Sequence, residues 1–150
     1  MTTTTAPDLD PRVVALAHYA ARAVLEKVLA GHGLTFQQSV TLRVVAVAEE
    51  PVDREELVGR VVDSLKVEKG EIRPVVEELV AAGLVETDAA RPSRLRITEA
   101  GREAYHRSSA EIAPITARIY AGIPAEELAA AGRTLTLITE RYNAELAAPR

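Results

Sequence analysis

Lysine and arginine are the side chains of this sequence best suited to recognition chemistry, and they gather at two places. Lys66, Lys69 and Arg73 fall within the run KVEKGEIR, followed at once by Pro74 and interleaved with Gly70, while Arg91, Arg94 and Arg96 fall within RPSRLR. A guanidinium presents a rigid fork of N–H donors that fits phosphate oxygens or the O6 and N7 edge of guanine, whereas an ammonium acts as a point charge. The spacing therefore suits contacts to duplex DNA. Arg73 is placed for a guanine edge, Lys66 and Lys69 for phosphates, Arg91 for the minor groove, and Arg94 and Arg96 for phosphates. Gly70 and Pro74 keep the edge that carries Arg73 thin enough for a major groove about 12 Å wide.

Catalytic chemistry finds no comparable set of residues. The 150-residue chain has no cysteine, so disulfides, thiolate metal sites, nucleophilic thiols and thiol-based redox sensing are all excluded. His18, His32 and His106 lie far apart, with no metal-ligand spacing around them. Neither a glycine-rich phosphate loop nor a G-x-S-x-G elbow is present, and Ser108 and Ser109 beside His106 read as helix surface. A protein without enzymatic activity, metal or cofactor is expected. The start MTTTTAPDLDP lacks the basic and apolar regions of a secretory signal, and no apolar run is long enough to span a bilayer. A soluble cytoplasmic protein that does not bind membranes follows, with residues 1–10 as a flexible tail.

The elements that must position these cations can be read from caps and periodicity. Asp10 before Pro11 opens a helix whose apolar residues Val13, Leu16, Ala17, Ala20, Val24 and Val28 recur at helical spacing until Gly31 and Gly33 end it. Thr35 and Gln38 form a capping box for a second helix, and Asp53 and Glu56 predict the same reciprocal cap for a third. A fourth helix is predicted to begin near Gly70, because Pro74 is tolerated only in a first turn, and to stop at Gly83. Ile72, Val75, Val76, Leu79 and Val80 share its inner face, leaving Gly70, Arg73, Pro74 and Glu77 outside.

After Gly83 the period changes from 3.6 to 2. Leu84–Thr87 and Arg94–Thr98 read as a two-stranded hairpin around a turn at Asp88–Ser93, with one apolar and one basic face. Thr98 then caps a helix running to about Gly122, kinked at Pro114, and a last helix spans Ala125 to about Ala147. Tyr105, Ile112, Ile115, Ile119 and Ile123 form a seam on the first, and Leu128, Leu135, Ile138, Tyr142 and Leu146 match it on the second. Such seams suit packing against each other and against a second copy.

The net charge of -4 excludes a protein that coats nucleic acid without specificity. Acids also surround the fourth helix, at Glu68, Glu71, Glu77 and Glu78, so its outer face reads either as a DNA contact or as solvated surface. Between Arg91 and Arg107, five arginines meet only Glu99 and Glu103, so any positive field centres on the hairpin.

The runs GHGLTFQQSVTLRVVA, EELVAAGLVETD and LRITEAGREAY resemble the MarR family of winged-helix transcriptional regulators over nearly the whole chain. The resemblance lies in the GLT-x-x-Q entry to the second helix, the L-x-x-x-GLV exit of the fourth, and the hydrophobic-Thr-x-x-Gly close of the wing. The Asp-x-Arg-Arg element of the family's wing is absent; Asp88 and Arg91 stand nearest to it. The fold implied is mainly α with a small β-hairpin wing: a winged helix-turn-helix at residues 35–101, flanked by dimerisation helices at 11–34 and 102–150. The function implied is that of a homodimer on a palindromic DNA operator, released by a small aromatic or lipophilic effector. His18, Tyr19, Phe36 and Tyr105 either line the family's ligand cleft or pack at the dimer junction.

Overall fold

The computed structural model describes residues 5–150, which form six helices and a three-stranded antiparallel sheet. Part of the expected flexible tail, residues 1–4, lies outside the described residues; residues 5–10 carry no helix or strand. The chain divides into two compact units, residues 1–113 and 114–150.

In the first unit, α1 (Pro11–Gly31) starts where the Asp10 carboxylate accepts from the Val13 N–H at 2.8 Å, and the chain leaves it through Gly33 at φ +69°. α2 (Phe36–Val47) begins on the predicted capping box. The Gln38 N–H donates to the Thr35 hydroxyl at 3.1 Å, and the Thr35 N–H donates to the Gln38 side chain at 3.0 Å. A strand not anticipated from sequence follows. β1 (Val52–Asp53) joins the edge of the hairpin, so the sheet has three strands rather than two. Two residues are too few to show a period; Val52, opposite Leu95, is buried in the core.

α3 (Arg54–Leu65) corrects the second reciprocal cap. Asp53 accepts from the Glu55 and Glu56 N–H groups at 3.0 and 3.1 Å, but the Glu56 carboxylate turns to Arg60, one turn along, at 2.6 Å. One carboxylate thus satisfies two orphan donors without a return bond. α4 (Lys69–Ala81) starts one residue before Gly70, with the Glu68 N–H donating to the Glu71 side chain at 3.3 Å. Pro74 is therefore its sixth residue and not part of the first turn. The N–H it lacks leaves the carbonyl of Gly70 without its intrahelical donor, and both residues are exposed, so water can supply the missing partner. Ile72, Val75, Val76 and Leu79 are buried on the inner face, and Gly83 leaves the helix at φ +73°.

β2 (Val85–Thr87) and β3 (Arg94–Ile97) make the hairpin, and the sheet order is β1-β3-β2. Its register sets Val85 opposite Ile97, Glu86 opposite Arg96 and Thr87 opposite Leu95, so that Val85 and Leu95 point to the core while Glu86 and Arg96 point outward. The core of the first unit joins Leu29, Leu42, Leu57, Ile72, Leu79 and Leu95, which are fully buried. α5 (Glu99–Tyr120) opens at Thr98, whose hydroxyl accepts from the Gly101 N–H at 3.0 Å. Its early residues Ala104 and Tyr105 pack against that core and Ser108 is buried.

In the second unit, α5 remains helical beyond Pro114, the chain turns through Gly122 at φ +79°, and α6 (Ala125–Ala147) follows. α6 buries none of its residues; Leu128 and Ile138 are half-buried, while Leu135, Tyr142 and Leu146 are exposed. No helix among the described residues is long and apolar enough to cross a membrane.

Candidate nucleic-acid interface

α4 owes its exposed edge to its own sequence: four apolar residues fix one face in the core, and the 3.6-residue period turns Lys69, Gly70, Arg73 and Pro74 outward. Lys66 precedes it in a left-handed conformation, φ 58°, with its N–H donating to the Val62 carbonyl at 2.8 Å. The hairpin places Arg91 in its exposed turn, where the Arg91 N–H donates to the Asp88 carboxylate at 3.2 Å. Arg94 is half-buried opposite Asp53, and Arg96 is exposed.

The sequence reading missed how many of these cations already have carboxylate partners. Arg73 donates through Nε and Nη2 to the two oxygens of Glu55 on α3, at 3.4 and 3.2 Å. Arg54 on α3 pairs in return with Glu77 on α4, so two ion pairs cross the same helix junction in opposite senses. Arg96 pairs with Glu86 at 2.9 Å, and Lys66 approaches Asp63 at 3.9 Å. Lys69, Arg91 and Arg94 have no carboxylate within ion-pair distance among the described residues. The hydrogen bond from Arg73 holds the Glu55 carboxyl below the usual range, outweighing partial desolvation, with the charges of Arg73 and Lys69 acting the same way.

Two of these pairs had a signal in the sequence: Asp63 and Lys66 stand three residues apart at the end of α3. The period-2 register of the hairpin sets Glu86 across from Arg96. Glu55 and Arg73 are eighteen residues apart on different helices, and no local pattern joins them. The same holds for His32, which follows α1 and meets Glu111 of α5 at 2.6 Å.

The described residues include three clefts around α3, α4 and the sheet. Val58, Pro74 and Val76 give one of about 330 Å³ an apolar floor, with Arg54, Glu55, Arg73 and Glu77 around it. The others, about 450 and 430 Å³, share the loop Glu49–Glu50–Pro51 and take in Arg96 and Arg102 in one case, Arg60 and Arg94 in the other. None of the four ligand candidates lines them. His18 and Tyr19 are exposed on α1, Phe36 is half-buried with the Arg22 guanidinium 4.2 Å from its ring centre, and Tyr105 packs against the core.

No family model and no curated protein matches the sequence. Solved structures do. A MarR family regulator from Silicibacter pomeroyi matches with a TM-score of 0.67 at 26% identity, covering 85% of this chain and 86% of its own. The chain has the winged-helix fold of the MarR family. Within that MarR fold it is also similar to CouR from Rhodococcus jostii RHA1, solved bound to p-coumaroyl-CoA, with a TM-score of 0.69, 21% identity, and 84% and 88% of the two chains covered. A MarR family protein from Mycobacterium tuberculosis, solved in complex with DNA, matches with a TM-score of 0.63, 23% identity, and 87% and 98% coverage. In MarR terms, α3 and α4 are the helix-turn-helix, β2 and β3 the wing.

Proposed function

We propose that this chain is a dimeric, ligand-responsive transcriptional regulator of the MarR family that binds a palindromic duplex operator. The observation that carries this reading is the presentation of α4, whose buried apolar face turns Lys69, Gly70, Arg73 and Pro74 outward on one narrow edge. Beside it the wing offers Arg91 to the minor groove and Arg94 and Arg96 to phosphates, with Lys66 and Lys69 taking phosphates at the start of α4. The neighbour solved with DNA supports duplex binding by this fold.

Dimerisation is proposed from apolar surface left uncovered in the single chain. Leu135, Leu137, Tyr142 and Leu146 on α6 are 40–70% exposed, and α1 exposes Leu16, Tyr19 and Val24. A second copy covers these faces, which makes residues 11–34 and 102–150 the dimerisation helices and 35–101 the DNA-binding lobe. The effector in this reading is a small aromatic or lipophilic molecule, with His18, Tyr19, Phe36 and Tyr105 either lining its cleft or packing at the dimer junction. The acyl-CoA bound by CouR supports ligand binding by this fold.

One observation favours a second reading. Glu55, Asp63 and Glu86 neutralise Arg73, Lys66 and Arg96, cations that DNA would need, which suits a winged-helix module that binds a protein partner or only dimerises. Selection of bound duplexes from a random pool decides between the two. An inverted repeat is the expected product, and failure to enrich any duplex at low salt sinks the first reading in favour of the second.

A further inference from the structure

The pair between Arg73 and Glu55 uses one side of the guanidinium, and the side matters. Glu55 accepts from Nε and Nη2, the lateral edge of the fork. The end-on edge, formed by Nη1 and the outer hydrogen of Nη2, stays available, and two parallel donors of that kind match guanine O6 and N7. Pairing with Glu55 is therefore compatible with reading a base.

Glu55 is itself held firmly. It is the second residue of α3, its N–H is bonded to the Asp53 carboxylate, and Asp53 belongs to β1. A second, exposed pair, Arg54–Glu77, crosses the same two helices without touching Arg73.

We infer that Glu55 is a positioning residue for Arg73, holding the guanidinium by its lateral edge so that its end-on edge faces guanine in the major groove. The inference rests on the DNA-binding reading above. A free arginine loses rotamer freedom when it docks, and a preset one has less to lose. The same carboxylate repels phosphates, so it lowers affinity for unrelated duplex while sharpening preference for guanine.

The test uses the full-length protein and a duplex it has enriched from a random pool, with each guanine replaced in turn by 7-deazaguanine, which lacks the N7 acceptor. At one guanine per half-site the native protein loses about tenfold in affinity, as expected for a bidentate base contact. Arg73→Ala abolishes that penalty and so identifies the guanine. In Glu55→Gln the penalty shrinks by about threefold or more, and binding to unrelated duplex tightens. Glu77→Gln removes the same charge from the other cross-helix pair and leaves the penalty at its native size. A penalty unchanged in Glu55→Gln, or reduced equally by Glu77→Gln, overturns the role of Glu55 alone. A native protein that enriches no duplex overturns it together with the DNA-binding reading.

Discussion

The Thr98 hydroxyl donates to the Gly83 carbonyl at 2.6 Å, tying the close of the wing to the end of α4. The same hydroxyl accepts from the Gly101 N–H at 3.0 Å, and the Thr98 N–H donates to the Leu84 carbonyl at 3.1 Å. One side chain thus ends the hairpin, starts α5 and holds both to the end of α4. Thr98→Val keeps the shape and removes the polar atom, leaving the Gly83 carbonyl and the Gly101 N–H short of a partner. A loss of about 1–3 kcal/mol is expected in urea unfolding, with the slope of the transition unchanged.

Gly101 is required for a different reason. A Cβ there would run into the Leu84 carbonyl oxygen and stand 2.9 Å from Ile97 Cγ1, and the oxygen belongs to backbone that cannot step aside. Gly101→Ala should destabilise by about 2–3 kcal/mol or more, the upper range for overpacking. Gly132, inside α6 with nothing within 4 Å of a Cβ, is the control. Gly132→Ala should instead stabilise by about 0.5–1 kcal/mol through helix propensity, so thermal unfolding of the two variants should move in opposite directions.

These two residues also mark what the sequence could and could not tell. Caps are local, so Asp10, Thr35 with Gln38, and Thr98 announced the starts of α1, α2 and α5, and Gly83 announced the end of α4. The clash that forbids a side chain at Gly101 comes from Leu84, seventeen positions away, and has no local sign. β1 was missed because a two-residue strand exists only through its pairing with β3. At the candidate interface the cations were legible as residue types, while their partners were not, because Glu55 meets Arg73 only once α3 and α4 are set at a particular phase. The predicted return bond from Glu56 fails for a related reason: Arg60 at i+4 offers that carboxylate a charged partner.

Acid should dissolve the Arg73–Glu55 pair. The carboxyl of Glu55 is held below its ordinary value of 4.5 by the Arg73 hydrogen bond, so the pair's contribution is complete above that pH and fades as pH falls through the lowered value. The pair is solvent-exposed, so added salt should weaken it as well. Unfolding midpoints of the native protein and Glu55→Gln should differ near neutrality at low salt and converge on acidification. A difference that persists once acid has protonated Glu55 would mean that it acts on stability through something other than its charge.

Arg91 offers a test of the wing that is separate from base reading. It sits in the exposed turn without a carboxylate partner, so its charge is available to the DNA backbone or the minor groove. Arg91→Ala should weaken binding to operator and unrelated duplex alike. It should also reduce the slope of log affinity against log salt by about 1, the signature of one lost phosphate-type contact. A change in base preference with the salt slope intact would place Arg91 among the reading residues instead.

The exposed face of α6 makes the strongest claim on a partner. Leu135 and Tyr142 lie two turns apart on one side of the helix, with Leu146 one turn further on, and all three are exposed. A helix of 23 residues with no buried side chain gains little from its own chain and stays ordered most readily when its apolar face meets another surface. Leu135→Glu places a charge in the middle of that face. If a second copy covers it, sedimentation should show a dimer for the native protein and a monomer for the variant, because an unpaired buried carboxylate opposes association by several kcal/mol. Helical content should fall with it, chiefly at α6, while the caps and core of residues 11–113 persist. A variant that remains dimeric would move the interface away from Leu135 and leave α1 as the face to test, through Leu16 and Val24.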